Sequence, residues 1–327
     1  MMAMMLEKQG NPLILKDIDI PHINDKEVLV KVIACGVCRT DLHIIDGELT
    51  NPKLPLVMGH QIVGKLVKKG KGVRDFEVDD LIGIPWLGYS CGSCKFCKTG
   101  KENLCDHAKY TGYSIDGGFA EYAKAHHKYV FKIPKNFDPV AAAPLLCAGL
   151  IGFRAYNMVR DSELIGIYGF GSAAHILTQI AIYEKKKIFA FSKRGDEESV
   201  KFARNLGVYW SGYSDESPPK KLDAAIIFAP AGELVVSALK VVDKGGKVIC
   251  GGIHMSDIPS FPYKILWEER MIKSVANLTK DDGIQFFKLA EKANVKTKTT
   301  IYKLDELNKA LDDLRQGHLV GSAVIKI

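Results

Sequence analysis

From about residue 149 onward, short apolar runs alternate with stretches whose apolar positions recur every three or four residues. The runs at 164–168, 187–191, 224–228 and 247–250 read as buried strands, and 172–184, 197–206 and 233–242 as amphipathic helices. Strand and helix in strict alternation predict a parallel, doubly wound sheet. Upstream, the alternating stretch 28–34 predicts a half-buried strand. Downstream the pattern gives a helix at 281–293, a strand at 298–302, a helix at 304–315 and a last strand at 322–327. No internal repeat interrupts this order, and 217–221 reads as a surface connection.

The chain has 327 residues, enough for two ordinary domains of about 150 residues each. Apolar residues at 47% and charged residues at 25% exclude disordered, collagenous and coiled-coil classes. The 45 basic residues exceed the 38 acidic ones by seven, but they are dispersed, which favours a small anionic ligand over nucleic acid. Residues 1–6 are apolar without a basic leading segment. The longest uncharged stretch, 139–153, falls short of the roughly 18 residues a spanning helix needs and contains Pro144. These features predict a cytoplasmic protein with no membrane partner. Eight cysteines in that setting point to metals or catalysis, not to disulfides.

Cys91, Cys94, Cys97 and Cys105 lie in one charged loop, with glycines at 88, 92 and 100 that let the chain wrap tightly. Four thiolates suit a closed, tetrahedral, structural zinc site, which shapes the loop and performs no chemistry. A nucleic-acid zinc ribbon would use similar spacing, but only one such knot occurs and no basic, aromatic face accompanies it. Cys38 directly follows the predicted strand 28–34, His60 stands just before another apolar run, and Cys147 closes a stretch of small residues. One histidine and two cysteines from three segments would give a catalytic zinc with its fourth position open.

Gly169-Phe170-Gly171-Ser172-Ala173-Ala174 stands between a predicted strand and its helix. Gly169 permits the tight turn, Gly171 lets backbone approach a pyrophosphate, and Ala174 is small enough for close helix packing. The amides of Ser172 and Ala173 open the helix, whose N-terminus favours phosphate. At the end of the second strand, Ser192 replaces the acid that would accept from a ribose 2′-hydroxyl. Lys193 and Arg194 follow it, a set that suits a 2′-phosphate and hence NADP(H) over NAD(H). The plain reading of 192–194 is a solvated basic turn, with Asp196 or Glu197 free to reach the ribose.

CGVCRTDLH at 35–43, GHQIVG at 59–64, the four-cysteine loop, GFGSAA and the later GGIHMSDIPSFPYKILWEER follow one another in an order that resembles the zinc-dependent medium-chain alcohol dehydrogenase family. The resemblance implies an α/β protein with a GroES-like β-rich catalytic domain (1–148 and 279–327) and a Rossmann dinucleotide-binding domain (149–278). Substrate, zinc and nicotinamide would occupy the cleft between the two. It implies two zinc ions per chain, with Cys38, His60 and Cys147 as the catalytic ligands, and Arg39 on the pyrophosphate. Thr40 and His43 would form a proton relay by way of the cofactor ribose; taken alone, they read as a helix cap and a surface imidazole.

Asp41 would orient a ligand such as His60 or cap the turn that follows Cys38. Gln61 stands where most relatives carry glutamate, so a mechanism needing a carboxylate there is not expected. Cys35 and Cys250 read as small buried hydrophobes. Trp86 and Tyr113 resemble positions near the pocket and favour apolar chains or rings. The histidines at 22, 107, 126, 127, 175, 254 and 318 have no metal-spaced partner. The activity implied is hydride transfer between a primary or secondary alcohol, or an aldehyde, and NADP(H), by a homodimer or homotetramer. A polyol or sugar dehydrogenase of the same fold and a non-catalytic zinc- and dinucleotide-binding protein are the alternatives.

Overall fold

Eleven residues, Glu27–Val37, make the strand on which one half of the protein is built. The computed structural model describes residues 1–319 and 321–327 and divides into two units. The first comprises Met1–Cys147, Leu278–Glu291 and Lys296–Ile327. Here Glu27–Val37 pairs antiparallel with Ile62–Lys69, with Tyr122–His126 and with the C-terminal strand Ser322–Lys326. Three partners explain why the strand runs past the predicted 28–34. The apolar positions 28, 30 and 32 face a core shared with Ile62, Leu66, Ile82 and Ile84, whose burial supplies the main driving force for this sheet. Cys35 is fully buried between Ile62 and Ile325, the small hydrophobe expected of it.

The second unit, Ala148–Asn277 with Lys292–Val295, holds a six-stranded parallel sheet. Its order is Trp210–Tyr213, Lys187–Ser192, Leu164–Tyr168, Leu222–Ile227, Val242–Cys250 and Met271–Ser274. The helices Ser172–Tyr183, Glu197–Asn205 and Glu233–Val241 form the crossovers. The periodicity missed both outer strands. Trp210–Tyr213 has four residues, and Met271–Ser274 is an edge strand with little buried surface, so neither carries a strong apolar signal. Strand order reverses between Leu164–Tyr168 and Leu222–Ile227, which opens a crevice at the carboxyl ends of these two strands. Cys250, at the end of its strand, is buried.

The predicted helix 304–315 is a short 3₁₀ turn, Leu304–Glu306, leading into the helix Leu307–Gln316, which Gly317 ends in a left-handed conformation. Among the described residues no single helix is long and apolar enough to cross a membrane.

Candidate active site

Strand register delivers the first two site residues. Cys35 lies opposite Ile62, so the chain leaving one strand at Cys38 meets the chain entering the other at His60. Cys38 is in extended conformation and is the N-cap of the helix Arg39–Ile45. The third residue, Cys147, follows the turn Ala143–Leu146. The Cys38 and Cys147 sulfurs and one ring nitrogen of His60 all lie within 4.8 Å of one another. Cys38 Sγ is 3.2 Å from His60 Nε2 and 3.9 Å from Cys147 Sγ. Two sulfur ligands at about 2.3 Å on a tetrahedral ion stand about 3.8 Å apart, so the donor set fits zinc.

Electrostatics agree with that fit. The Cys147 hydrogen bond outweighs burial and, with His60 and the Thr40 hydroxyl, holds Cys38 well below the ordinary thiol range. The same contact, reinforced by burial, pushes Cys147 up. Burial opposes a charged His60, yet Cys38 and Asp41 together raise it to about 10. Thiol and imidazolium groups held this close would give up their protons to solvent when a cation binds.

Asp41 caps the turn after Cys38 and stands beside His60 without a hydrogen bond to its ring. Its Oδ2 accepts the Cys38 backbone N–H at 2.8 Å, and its Oδ1 lies 3.3 Å from His60 Nδ1 with both side chains fully buried. Burial raises its carboxyl above the usual range against the pull of His60. Thr40 sits inside the helix that Cys38 caps, which removes the cap reading for Thr40. His43 is not a surface imidazole: its side chain is largely buried and its Nδ1 hydrogen-bonds the Glu48 carboxylate. Arg39 is exposed on the first turn of that helix.

Gln61 is buried, and its Nε2 finds no hydrogen-bond partner among the described residues. Its backbone carbonyl accepts from Gly36 N–H at 3.0 Å, and a Cβ on Gly36 would stand 2.7 Å from Gln61 Oε1. The side chain therefore lies across the face that Gly36 leaves open.

Trp86 is 9% exposed and meets His60 edge-on, with ring centroids 5.0 Å apart. It stacks on Tyr110 at 5.2 Å and on Tyr113 at 5.7 Å. The Tyr113 hydroxyl is anchored to the Thr50 carbonyl. Tyr110 and Glu48 were not foreseen. Tyr110 carried no motif, and Glu48 faces His43 only because the chain turns at Gly47, with φ +82°.

The four-cysteine loop closes as its spacing predicts: the sulfurs of Cys91, Cys94, Cys97 and Cys105 lie within 4.8 Å of one another. Cys91 Sγ accepts the Cys94 N–H at 3.4 Å, and Cys105 Sγ accepts the Cys91 N–H at 3.5 Å. Ser93, followed by the Cys94 amide, lowers Cys91 to about 5, while burial raises Cys105 to about 11. Among the described residues these two clusters are the only groups of ligating atoms so closely spaced, and none of the seven remaining histidines belongs to either.

In the second unit, Gly169 has φ +84°, and a Cβ there would lie 2.8 Å from the Ala229 nitrogen. Only glycine fits that turn, which sits at the point where strand order reverses. A Cβ on Gly171 would meet nothing within 4 Å, so the backbone faces open space above the start of Ser172–Tyr183, as a phosphate cradle requires. Ala174 is fully buried against neighbouring elements, whereas Ser172 and Ala173 are partly exposed. Ser192 is buried, with its hydroxyl unpartnered among the described residues. Lys193 is exposed. Arg194 bonds Asp215 at 2.6 Å and lies over the Tyr213 ring at 5.0 Å, so its charge already has a counter-ion.

Residues 24–135 match the alcohol dehydrogenase GroES-like domain. The chain is 38% identical over 316 residues to the "Probable alcohol dehydrogenase AdhA" of Mycobacterium tuberculosis, covering 94% of this chain and 91% of that protein. It is 33% identical over 354 residues to the NAD-dependent alcohol dehydrogenase of Sulfolobus acidocaldarius, covering all of both. Its fold superposes on the alcohol dehydrogenase of Aeropyrum pernix with a TM-score of 0.88 and 26% identity over the full length of both chains. The chain belongs to the zinc-dependent medium-chain alcohol dehydrogenase family, enzymes that act on an alcohol or aldehyde with a nicotinamide cofactor.

Proposed function

We propose that this enzyme interconverts primary or secondary alcohols and their carbonyl products, aldehydes included, using NADP(H) in preference to NAD(H). The convergence of Cys38 Sγ, His60 Nε2 and Cys147 Sγ carries this reading. These three residues would hold a catalytic zinc, and Cys91, Cys94, Cys97 and Cys105 a structural one, two ions per chain. When bound, the zinc supplies Lewis acidity towards a hydroxyl or carbonyl oxygen and the nicotinamide supplies the hydride chemistry.

The remaining work falls to side chains. Two thiolates and a neutral imidazole balance a divalent charge, and Asp41, with a carboxylate oxygen 3.3 Å from His60 Nδ1, would orient the ring once the ion is bound. Thr40 would accept the hydroxyl proton of the substrate while giving up its own towards His43 by way of the cofactor ribose, and His43 would pass a proton outward. With His43 Nδ1 committed to Glu48, Nε2 is the atom that accepts and releases the proton. Trp86, Tyr110 and Tyr113 present an aromatic wall, which supports apolar substrates over sugars. Gln61 adds no charge.

The cofactor reading rests on Ser192, a buried hydroxyl where an acid would bind a ribose, together with Lys193 and Arg194. Arg194 would be shared between Asp215 and a 2′-phosphate. Arg39 and the Gly169–Ala174 turn would take the pyrophosphate. The outer edge of Met271–Ser274, with Trp267 60% exposed nearby, supports a homo-oligomer built by sheet pairing.

Metal analysis combined with fluorescence titration by NADPH and NADH tests the whole reading. Two zinc ions per chain, tighter NADPH binding, and turnover lost in Cys38→Ser with cofactor binding retained are the expected results. Turnover retained in Cys38→Ser with one zinc fewer would remove the catalytic-zinc assignment. Tighter NADH binding would overturn the Ser192 argument.

A further inference from the structure

The strand Leu87–Tyr89 runs directly into the four-cysteine loop, and Ser90 is the residue between them. Ser90 is buried, and its Oγ lies 3.3 Å from Cys97 Sγ. On its other side the same oxygen is 2.6 Å from the hydroxyl of Tyr129, in the short turn His127–Tyr129. Both contacts belong to the first unit. Three atoms, one sulfur and two hydroxyl oxygens, thus form a continuous line from a loop cysteine to a residue 32 positions further along the chain.

A serine hydroxyl has one proton and two lone pairs. If Cys97 is a thiolate, it can only accept, so Ser90 must give its proton to the sulfur. Ser90 Oγ then has only acceptor capacity left, and Tyr129 must donate to it. The line has a single polarity, Tyr129 O–H to Ser90 Oγ and Ser90 O–H to Cys97 Sγ. With Cys97 as a thiol, the sulfur becomes the donor and the polarity reverses.

We propose that Ser90 and Tyr129 are positioning residues for the structural metal. Ser90 donates a charge-assisted hydrogen bond to the Cys97 thiolate, and Tyr129 holds the Ser90 proton in that direction. The proposal rests on the reading of Cys91, Cys94, Cys97 and Cys105 as metal ligands. Hydrogen bonds to a charged acceptor are shorter and roughly twice as strong as neutral ones. Partners of this kind typically change metal affinity by about 10–100-fold. The bond also fixes where the loop sits. Ser90 and Tyr129 tie its entry to the body of the first unit, and Glu102 Oε1, accepting the Lys280 N–H at 2.7 Å, ties its far side to the start of the helix Lys280–Lys292.

The proposal separates two roles for Ser90: filler beside a cysteine, and donor to its sulfur. Ser90→Ala keeps the size and removes the donor. Tyr129→Phe keeps Ser90 and removes only the group that holds its proton. Ser90→Thr keeps the donor.

The full-length protein is loaded with cobalt(II), and the thiolate-to-cobalt charge-transfer bands and the rate of metal loss to a chromogenic chelator are recorded. Wild type should take up two ions, one giving the intense four-thiolate spectrum. Ser90→Ala should move those bands to lower energy, because an unbonded thiolate is the better electron donor, and should release that ion about tenfold faster or more. Tyr129→Phe should shift both readouts in the same direction by less, and Ser90→Thr should restore them. Should Ser90→Ala not fold, Tyr129→Phe decides the matter alone. Bands and release rates unchanged from wild type in whichever of Ser90→Ala and Tyr129→Phe fold would overturn the proposal. Absence of the four-thiolate spectrum in wild type would instead overturn the metal reading on which it stands.

Discussion

Asp41 lies between Cys38 and His60, with one carboxylate oxygen on the backbone N–H of Cys38 and the other 3.3 Å from His60 Nδ1. One buried side chain thereby caps the helix that begins after Cys38 and faces the His60 ring. Asp41→Asn keeps an acceptor for Cys38 N–H and removes the charge facing His60. It should weaken retention of the catalytic metal by about 10–100-fold while secondary structure is unchanged. Zinc content after timed dialysis against a chelator, with circular dichroism as the control, reads this out.

Gly36 and Gln61 should behave as a coupled pair. A methyl group on residue 36 would press on the Gln61 carboxamide at 2.7 Å, so Gly36→Ala should cost about 1–3 kcal/mol. Gln61→Ala removes the two closest atoms, Oε1 and Cδ, and leaves only the Cβ at 3.1 Å. The double variant should therefore be more stable than the sum of the single effects implies, and urea unfolding of all four proteins measures the coupling. Strict additivity would mean that the two side chains do not compete for the same space.

Gly169→Ala meets two obstacles, a left-handed backbone and the Ala229 amide at 2.8 Å from the added carbon. The backbone strain alone costs about 1–3 kcal/mol. The expected outcome is loss of NADPH and NADH fluorescence enhancement together with a lower Tm, and a variant that binds either cofactor like wild type would show that the turn is not the phosphate cradle.

His175 sets a pH dependence on the second unit. It is 1% exposed, and burial, opposed only by the backbone of Gly171 and Ser172, lowers it to about 4. Its ordinary value is about 6.5, so between roughly pH 6.5 and 4 the unfolded chain binds a proton that the folded one does not. Stability contributed by the neutral ring is present above that window and is lost as pH falls through it. At pH 5 the loss amounts to about 2 kcal/mol. His175→Phe should flatten this part of the profile, and urea midpoints of the two proteins at pH 7 and pH 5 give the comparison.

Ser192→Asp places a carboxylate where the hydroxyl is buried at the end of Lys187–Ser192. It should repel a 2′-phosphate and accept from a free ribose, shifting the ratio of NADPH to NADH dissociation constants by about tenfold or more towards NADH, a change of about 1.4 kcal/mol. An unchanged ratio would place cofactor choice elsewhere.

What the sequence determined by itself was local. The alternation of apolar runs located the four inner strands and three crossover helices of the parallel sheet, because buried parallel strands are continuous apolar runs, although the strand Val242–Cys250 begins five residues before the expected 247–250. The spacing of Cys91, Cys94, Cys97 and Cys105 marked a loop whose four sulfurs gather, because all four come from one short segment. Gly169 announced its own backbone, since no other residue accepts that turn.

What only the tertiary structure decided were relations between distant segments. Cys38, His60 and Cys147 come together through strand register and the turn before Cys147, and no local signal encodes a distance across 109 positions. Asp41 could be read as a cap or as a partner of His60, and the fold makes it the cap of the turn after Cys38 while burying it 3.3 Å from the His60 ring. The pairing of Arg194 with Asp215, the support of His43 by Glu48, and the packing of Tyr110 on Trp86 were likewise invisible. Each depends on side chains meeting across elements, where geometry after folding selects among chemically equivalent candidates that the sequence leaves open.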